Sequence, residues 1–263
     1  MPTAMQSSAR ARLSGLEPGR RPRSLAVLLM SCALLAFTTT ALGKSGSVIV
    51  TAAMRAHAAA NIAAHDWAAA QRDSAVRAAA RWVAMSDEAL WEAIPSQWVP
   101  RTCGVHPTAG CPNCGAEFFK IRAVGYDRYA FDSARHPWKL RCKGCKTLFP
   151  SNDYGAYYRS GLDDRGEFDP AKADARLLFN AEHPDPADPD HRTWVDDGFG
   201  LKVGGDRLTV IAHYTYWLWR ECILAPRHLA LAYALTGDAV YAHKAAVMLM
   251  RFADIYPNID YAG

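Results

Sequence analysis

A chain of 263 residues that is 50% hydrophobic and 21% charged can bury a sizeable core, which excludes disorder for most of its length. Its 30 Lys and Arg stand against 26 Asp and Glu, but the first 43 residues hold five arginines (Arg10, Arg12, Arg20, Arg21, Arg23) and one acid, Glu17. Residues 44–263 therefore carry 25 of each sign, and this balanced body lacks the concentrated positive face that nucleic-acid binding needs.

Arg20, Arg21 and Arg23 precede an apolar run from Leu25 to Phe37, followed by Ala41-Leu42-Gly43. Positive flank, short apolar run and small residues at the exit predict a signal peptide over 1–43, cleaved after Gly43, and a secreted or periplasmic product. The alternative is an uncleaved N-terminal membrane anchor, with Thr38–Leu42 extending the run. Residues 44–99 follow as N-terminal helices. Ser47–Ile94 contains no Gly or Pro and spaces Trp67, Val76, Trp82 and Val83 at helical intervals. Ser86 is placed to cap a short helix over Asp87–Ala93, with Asp87 and Glu88 in its first turn and Pro95 beyond its end.

Composition then shifts. Residues 100–158 are rich in Cys, Gly, Pro and aromatics, and short alternating segments at Phe118–Val124 and Trp138–Arg141 predict a small β-rich insert. Beyond it a short helix is expected at Ala171–Asn180, a Pro/Asp loop over His183–Asp190, and a helix from about Arg207 to Leu224. Arg227–Leu235 and Val240–Ile255 predict an αα-hairpin turning at Thr236-Gly237-Asp238, where Gly237 supplies a left-handed cap and Asp238 an N-cap. No second copy of this hairpin recurs at repeat spacing, which disfavours a purely helical repeat adaptor. The chain ends at Tyr256–Gly263 in a loop that leads onward, the expectation for a molecule that continues.

Cys111-Pro112-Asn113-Cys114-Gly115 and Cys142-Lys143-Gly144-Cys145 are two C-x-x-C units. Paired turns of this kind aim four thiolates at one point, as tetrahedral zinc requires, and four sulfurs leave no open position for water, so the implied role of Zn2+ is structural. Disulfide bonding in an oxidising compartment is the alternative, and a thioredoxin-like redox role is a third, although no βαβ unit surrounds the pairs. Cys103 and Cys222 read as buried thiols, and Cys103 with His106 as a weaker spare-ligand pair.

Several segments stand in a definite order along the chain. They are Ser86-Asp87-Glu88-Ala89-Leu90-Trp91, Ile94-Pro95-Ser96-Gln97, Pro100-Arg101, the first cysteine pair, His136-Pro137-Trp138-Lys139-Leu140-Arg141-Cys142 and Leu148-Phe149-Pro150-Ser151-Asn152-Asp153. Further along come Tyr157–Asp163, Phe179–Pro186, Val195-Asp196-Asp197-Gly198 and Leu235-Thr236-Gly237-Asp238. In this order the segments resemble the N-terminal half of heparinase II/III-like polysaccharide lyases, a resemblance that covers about residues 50–263. It implies a mainly α fold, a partial (α/α) toroid of helical hairpins beginning at 159–263, with the β-rich zinc-knuckle insert ahead of it. It also implies β-elimination on an acidic, uronate-containing polysaccharide. Such chemistry needs a group to neutralise the uronate carboxylate, a base for the C5 proton and an acid for the leaving oxygen. The family's principal Tyr and His residues fall beyond this chain, so no catalytic position is carried over. Asn180, Glu182, His183, Asp196, Asp197, Arg207, His213 and Tyr214 are the candidates for a substrate-binding rim. Each also has a structural reading: Asn180 and His183 as cap and turn, Asp196-Asp197-Gly198 as a turn, His213 and Tyr214 as core. Asp185, Asp188 and Asp190 lack EF-hand spacing and read as a solvated loop rather than a calcium site. The competing class is a non-catalytic glycan- or protein-binding helical module.

Overall fold

The computed structural model describes residues 47–105, 110–122 and 128–259. The predicted leader with its Gly43 cleavage point, His106 and the last residues of the chain lie outside them. Among the described residues no helix is long and apolar enough to cross a membrane.

The Gly- and Pro-free stretch forms α1 (Ala52–Ala64) and α2 (Asp66–Val83), divided at His65, which adopts extended backbone angles. No residue of α1 is buried, whereas α2 turns Ala68, Ala75, Ala79 and Trp82 inward as one stripe. The third helix, α3 (Asp87–Ala93), has the expected ends: Ser86 Oγ accepts the Ala89 N–H at 3.1 Å. Asp87 also receives Lys244 Nζ at 2.8 Å and pairs with His243 Nε2 at 2.7 Å, which holds α3 against the last long helix.

Among its described residues the insert contains three very short strands, β1 (Tyr129–Phe131), β2 (Leu140–Cys142) and β3 (Leu148–Phe149), in one antiparallel sheet of order β1-β2-β3. The alternating segment at Phe118–Val124 is not a strand where it is described. Ala116–Lys120 forms a 3-10 turn, because the bonding of the first cysteine turn continues into it: Glu117 N–H reaches Cys114 O and Phe118 N–H reaches Gly115 O. This drives Phe118 into the core. Among the described residues the insert forms no separate core; Cys111, Phe118, Tyr129, Leu140, Cys142 and Phe149 pack in the same cluster as the helices.

After α4 (Tyr154–Ser160) the expected helix over Ala171–Asn180 shrinks to a 3-10 turn, Ala175–Leu177. Asp169 Oδ1 accepts the Ala171 N–H and Asp174 Oδ1 the Arg176 N–H, so side chains satisfy locally the donors a helix would use. Strands β4 (Leu201–Val203) and β5 (Asp206–Leu208) then form a hairpin that places Arg207 in a strand, so the next helix begins later than the sequence predicts.

That helix, α5 (Val210–Thr236), runs unbroken through Pro226, where the sequence predicts two helices. An interior proline costs about 3 kcal/mol. The continuous stripe Cys222, Ala225, Leu229 and Ala232, all fully buried, offsets it by packing on both sides of the proline. α5 lies against both α2 and α6 (Ala239–Ile255). The α5–α6 turn is as predicted: Gly237 is left-handed at φ 75°, its N–H meeting Tyr233 O at 2.8 Å, and Asp238 accepts the Val240 N–H at 3.0 Å. The fold is thus mainly α, with the small sheet wedged against α5.

Two apolar clusters share Trp138, whose ring lies 5.2, 5.0 and 5.4 Å from those of Tyr154, Tyr158 and Tyr214. Gly155 is required there, since a Cβ would stand 2.8 Å from the indole.

The start of α5 is held by a residue far outside it. Asp196, fully buried, accepts Gly198 N–H at 2.8 Å and Gly200 N–H at 2.9 Å through Oδ1, and Ile211 N–H at 3.0 Å through Oδ2. Its own backbone pairs both ways with the Asn152 amide, at 2.9 and 3.0 Å. Burial pushes the Asp196 carboxyl up to about 6, against the three N–H groups that favour its charge. Its contribution to stability is therefore full below 3.8 and declines as pH rises through about 6. Asp196→Asn should lower the unfolding free energy by about 1–3 kcal/mol by leaving the Ile211 donor unpaired, and should flatten the pH dependence in that window, both read from denaturant titrations across pH.

Candidate metal centre

The first cysteine turn lies ahead of the sheet and the second follows directly from β2, where Cys142 pairs in register with Tyr129. The two turns repeat one geometry. Cys111 O accepts the Gly115 N–H at 2.8 Å and Cys142 O the Lys146 N–H at 3.0 Å, and both closing residues have positive φ, 53° and 67°. Gly110, at φ 75°, passes so close to the first turn that a Cβ would sit 2.3 Å from Gly115 O.

This stacking brings the four sulfurs together, all within 4.8 Å of one another. Cys111 Sγ lies 3.7 Å from Cys145 Sγ, and Cys114 Sγ 3.8 Å from Cys142 Sγ. A tetrahedral ion with metal–sulfur bonds of about 2.3 Å separates its sulfurs by about 3.8 Å. A disulfide would need about 2.05 Å, and all six described cysteines are free. The cluster can hold a metal ion, with Cys111 and Cys142 fully buried and Cys145 at the surface.

Burial raises the Cys111 and Cys114 thiols. It acts on Cys145 in the same sense, but the Thr147 hydroxyl and backbone and the neighbouring sulfurs outweigh it and bring that thiol down to about 6. Asn113 Nδ2 donates to Thr147 Oγ1 at 2.8 Å, so an amide of one turn orients the hydroxyl that supports a sulfur of the other. Neither residue stands out in the sequence, because the contact exists only once the turns stack.

Cys103 is exposed, not buried as the sequence suggests, while Cys222 is buried with its Sγ 3.4 Å from Ala93 O. The rim candidates lie on different elements. Asn180, Glu182 and His183 share one turn: Asn180 Oδ1 accepts the Glu182 N–H at 3.1 Å, and Asn180 itself is buried. His183 Nδ1 lies 2.9 Å from Asp188 Oδ2, a contact that raises the imidazole above 6.5. His183, Asp188 and Asp190 also cluster within ligand distance, but Asp188 Oδ1 accepts the Asp190 N–H and Asp190 Oδ1 the Thr193 hydroxyl, so the carboxylates shape the loop. Arg207 is exposed on β5, with Nη1 3.2 Å from Gly200 O. His213 and Tyr214 face inward on α5. His213 Nε2 accepts Trp217 Nε1–H at 3.0 Å, and the Tyr214 ring packs 5.1 Å from Phe131. Asp197 Oδ1 accepts the Phe199 N–H at 2.9 Å in a turn.

Compared with family models, curated proteins and solved structures, the chain matches none.

Cys142→Ser should abolish stoichiometric metal binding. Thr147→Val, which keeps all four ligands, should weaken affinity by about 10- to 100-fold by removing the hydroxyl that supports Cys145, measured by chelator competition.

Proposed function

We propose that this chain is the front portion of an exported polysaccharide lyase that cleaves a uronate-containing polymer by β-elimination, and that its four cysteines hold one structural zinc ion. The observation that carries the metal assignment is the spacing of the sulfurs, 3.7 and 3.8 Å across the two turns, which suits a tetrahedral ion bonded to four thiolates. A filled set of four ligands leaves no site for water or substrate on the ion, so the zinc stabilises the fold and takes no part in the reaction.

The lyase reading is supported by the ordered run of motifs and by the α5–α6 hairpin in which they end. The outer sides of that hairpin keep Ile223, Leu224, Leu231, Leu249 and Met250 exposed, as helices do where further helices of a toroid would pack. The chain's own candidates do not form a reacting constellation: Asn180, His213 and Tyr214 are buried and bonded internally. That observation favours the second reading, a non-catalytic glycan- or protein-binding module on the same scaffold.

Two measurements test the proposal. Native mass spectrometry with elemental analysis should find about one zinc per chain; stoichiometric iron, or two bridged cysteine pairs and no metal, would refute the assignment. The intact gene product, given alginate, heparin or hyaluronan, should raise the ultraviolet absorbance of the unsaturated uronate product. Silence with every uronate polymer rejects the lyase and leaves the binding module.

A further inference from the structure

A groove of about 450 Å3 opens where three distant segments meet, with Trp98 and Phe199 among its walls and Phe168 beneath. Volumes of this size are typical of sites for small organic ligands. The two wall residues are 51% and 61% exposed, although the residues on either side of each are buried or bonded. Trp98 sits between Gln97 and Val99, both buried, after the buried Ser96, whose Oγ accepts the Phe168 N–H at 2.9 Å. Phe199 stands between the two glycine N–H groups that Asp196 clamps. Neither ring is exposed through slack in the chain. Large apolar rings left in water forfeit burial that a ligand would recover.

The polar lining sets the charge of that ligand. Asp163, Glu167 and Asp169 line the groove, and among the described lining residues Lys172 is the one cation, pairing with Asp169 at 3.2 Å, with Arg165 acting on Asp163 from beside it. Backbone N–H groups, from Glu167 to Asp163 and from Ala171 to Asp169, hold these two carboxyls below their ordinary range, so they are ionised at neutral pH. The excess negative charge disfavours a uronate here. An aromatic face attracts both the polarised C–H bonds of a sugar ring and a cation. An open groove walled by two separate rings suits an extended flat ligand better than a compact ammonium ion, which gains most from a closed cage.

We propose that this groove binds an amino sugar bearing a free ammonium group, with Trp98 and Phe199 as stacking platforms and Asp163 and Glu167 as the ammonium's partners. The site is independent of the lyase reading: it requires no cleavage, and loss of either leaves the other standing.

Isothermal titration of the full chain at mildly acidic pH tests it with matched oligosaccharides: glucosamine hexamer, cellohexaose, which differs in having a neutral hydroxyl at C2, and guluronate hexamer. Glucosamine hexamer should bind about tenfold or more tightly than cellohexaose, and guluronate should not bind. Trp98→Ala and Phe199→Ala should each cost about tenfold, and Glu167→Gln should reduce the preference for the ammonium sugar, all three variants keeping the wild-type metal content. Equal binding of glucosamine and cellohexaose, equal binding of trilysine, undiminished affinity in both aromatic variants, or no binding of any probe would each overturn the proposal.

Discussion

One buried carboxylate organises the middle of this protein. Asp196 gives both oxygens to backbone donors, and so caps α5 from outside the helix while clamping the turn that carries Phe199. A buried carboxylate needs donors in place of the water it lost, and here three N–H groups offset part of that cost while the Asn152 amide fixes the Asp196 backbone. The central helix, the end of the insert and the aromatic groove consequently share one anchor. α5 is the central support: α2 and α6 pack along it, and the Trp138 cluster meets it at Tyr214.

The cysteine cluster is a second anchor of a different kind. Strands of two or three residues cannot form a stable sheet by pairing alone. They persist because their apolar residues join the helical core and because the two cysteine turns can be tied through one ion. Metal binding at such a site is folding free energy for the insert. The Asn113–Thr147–Cys145 relay indicates how the surrounding side chains hold the sulfurs in place.

Much of the motif content that carries the lyase resemblance is spent on assembly. Ser96 bonds the Phe168 backbone, and its own N–H meets the Tyr158 hydroxyl. Lys139 is half-buried, with Nζ 2.7 and 3.1 Å from the carbonyls of Pro150 and Asn152. Ser151 reaches Thr193 O. Arg251, outside the motifs, is 2% exposed and binds Gly166 O and Asp254 while its guanidinium lies 5.2 Å from the Trp91 ring. These residues stitch loops that have little regular structure of their own, a role that needs polar side chains as surely as catalysis does.

Local rules determined what depends on neighbours in the chain. The Ser86 cap, the Gly237–Asp238 turn, the α6 helix and the pairing of two C-x-x-C turns were legible because capping, left-handed glycine and ligand spacing act over a few residues. Tertiary structure decided the rest. The continuous apolar stripe of α5 carried the helix through Pro226, a residue that reads locally as a stop. Asp169 and Asp174 captured backbone donors and dissolved the helix expected at Ala171–Asn180. His213 and Tyr214 turned inward, and Trp98 and Phe199, just over a hundred residues apart in sequence, came to wall one groove. Such outcomes depend on which distant surfaces meet, because burial and long-range hydrogen bonds reward contacts that no local window of sequence contains.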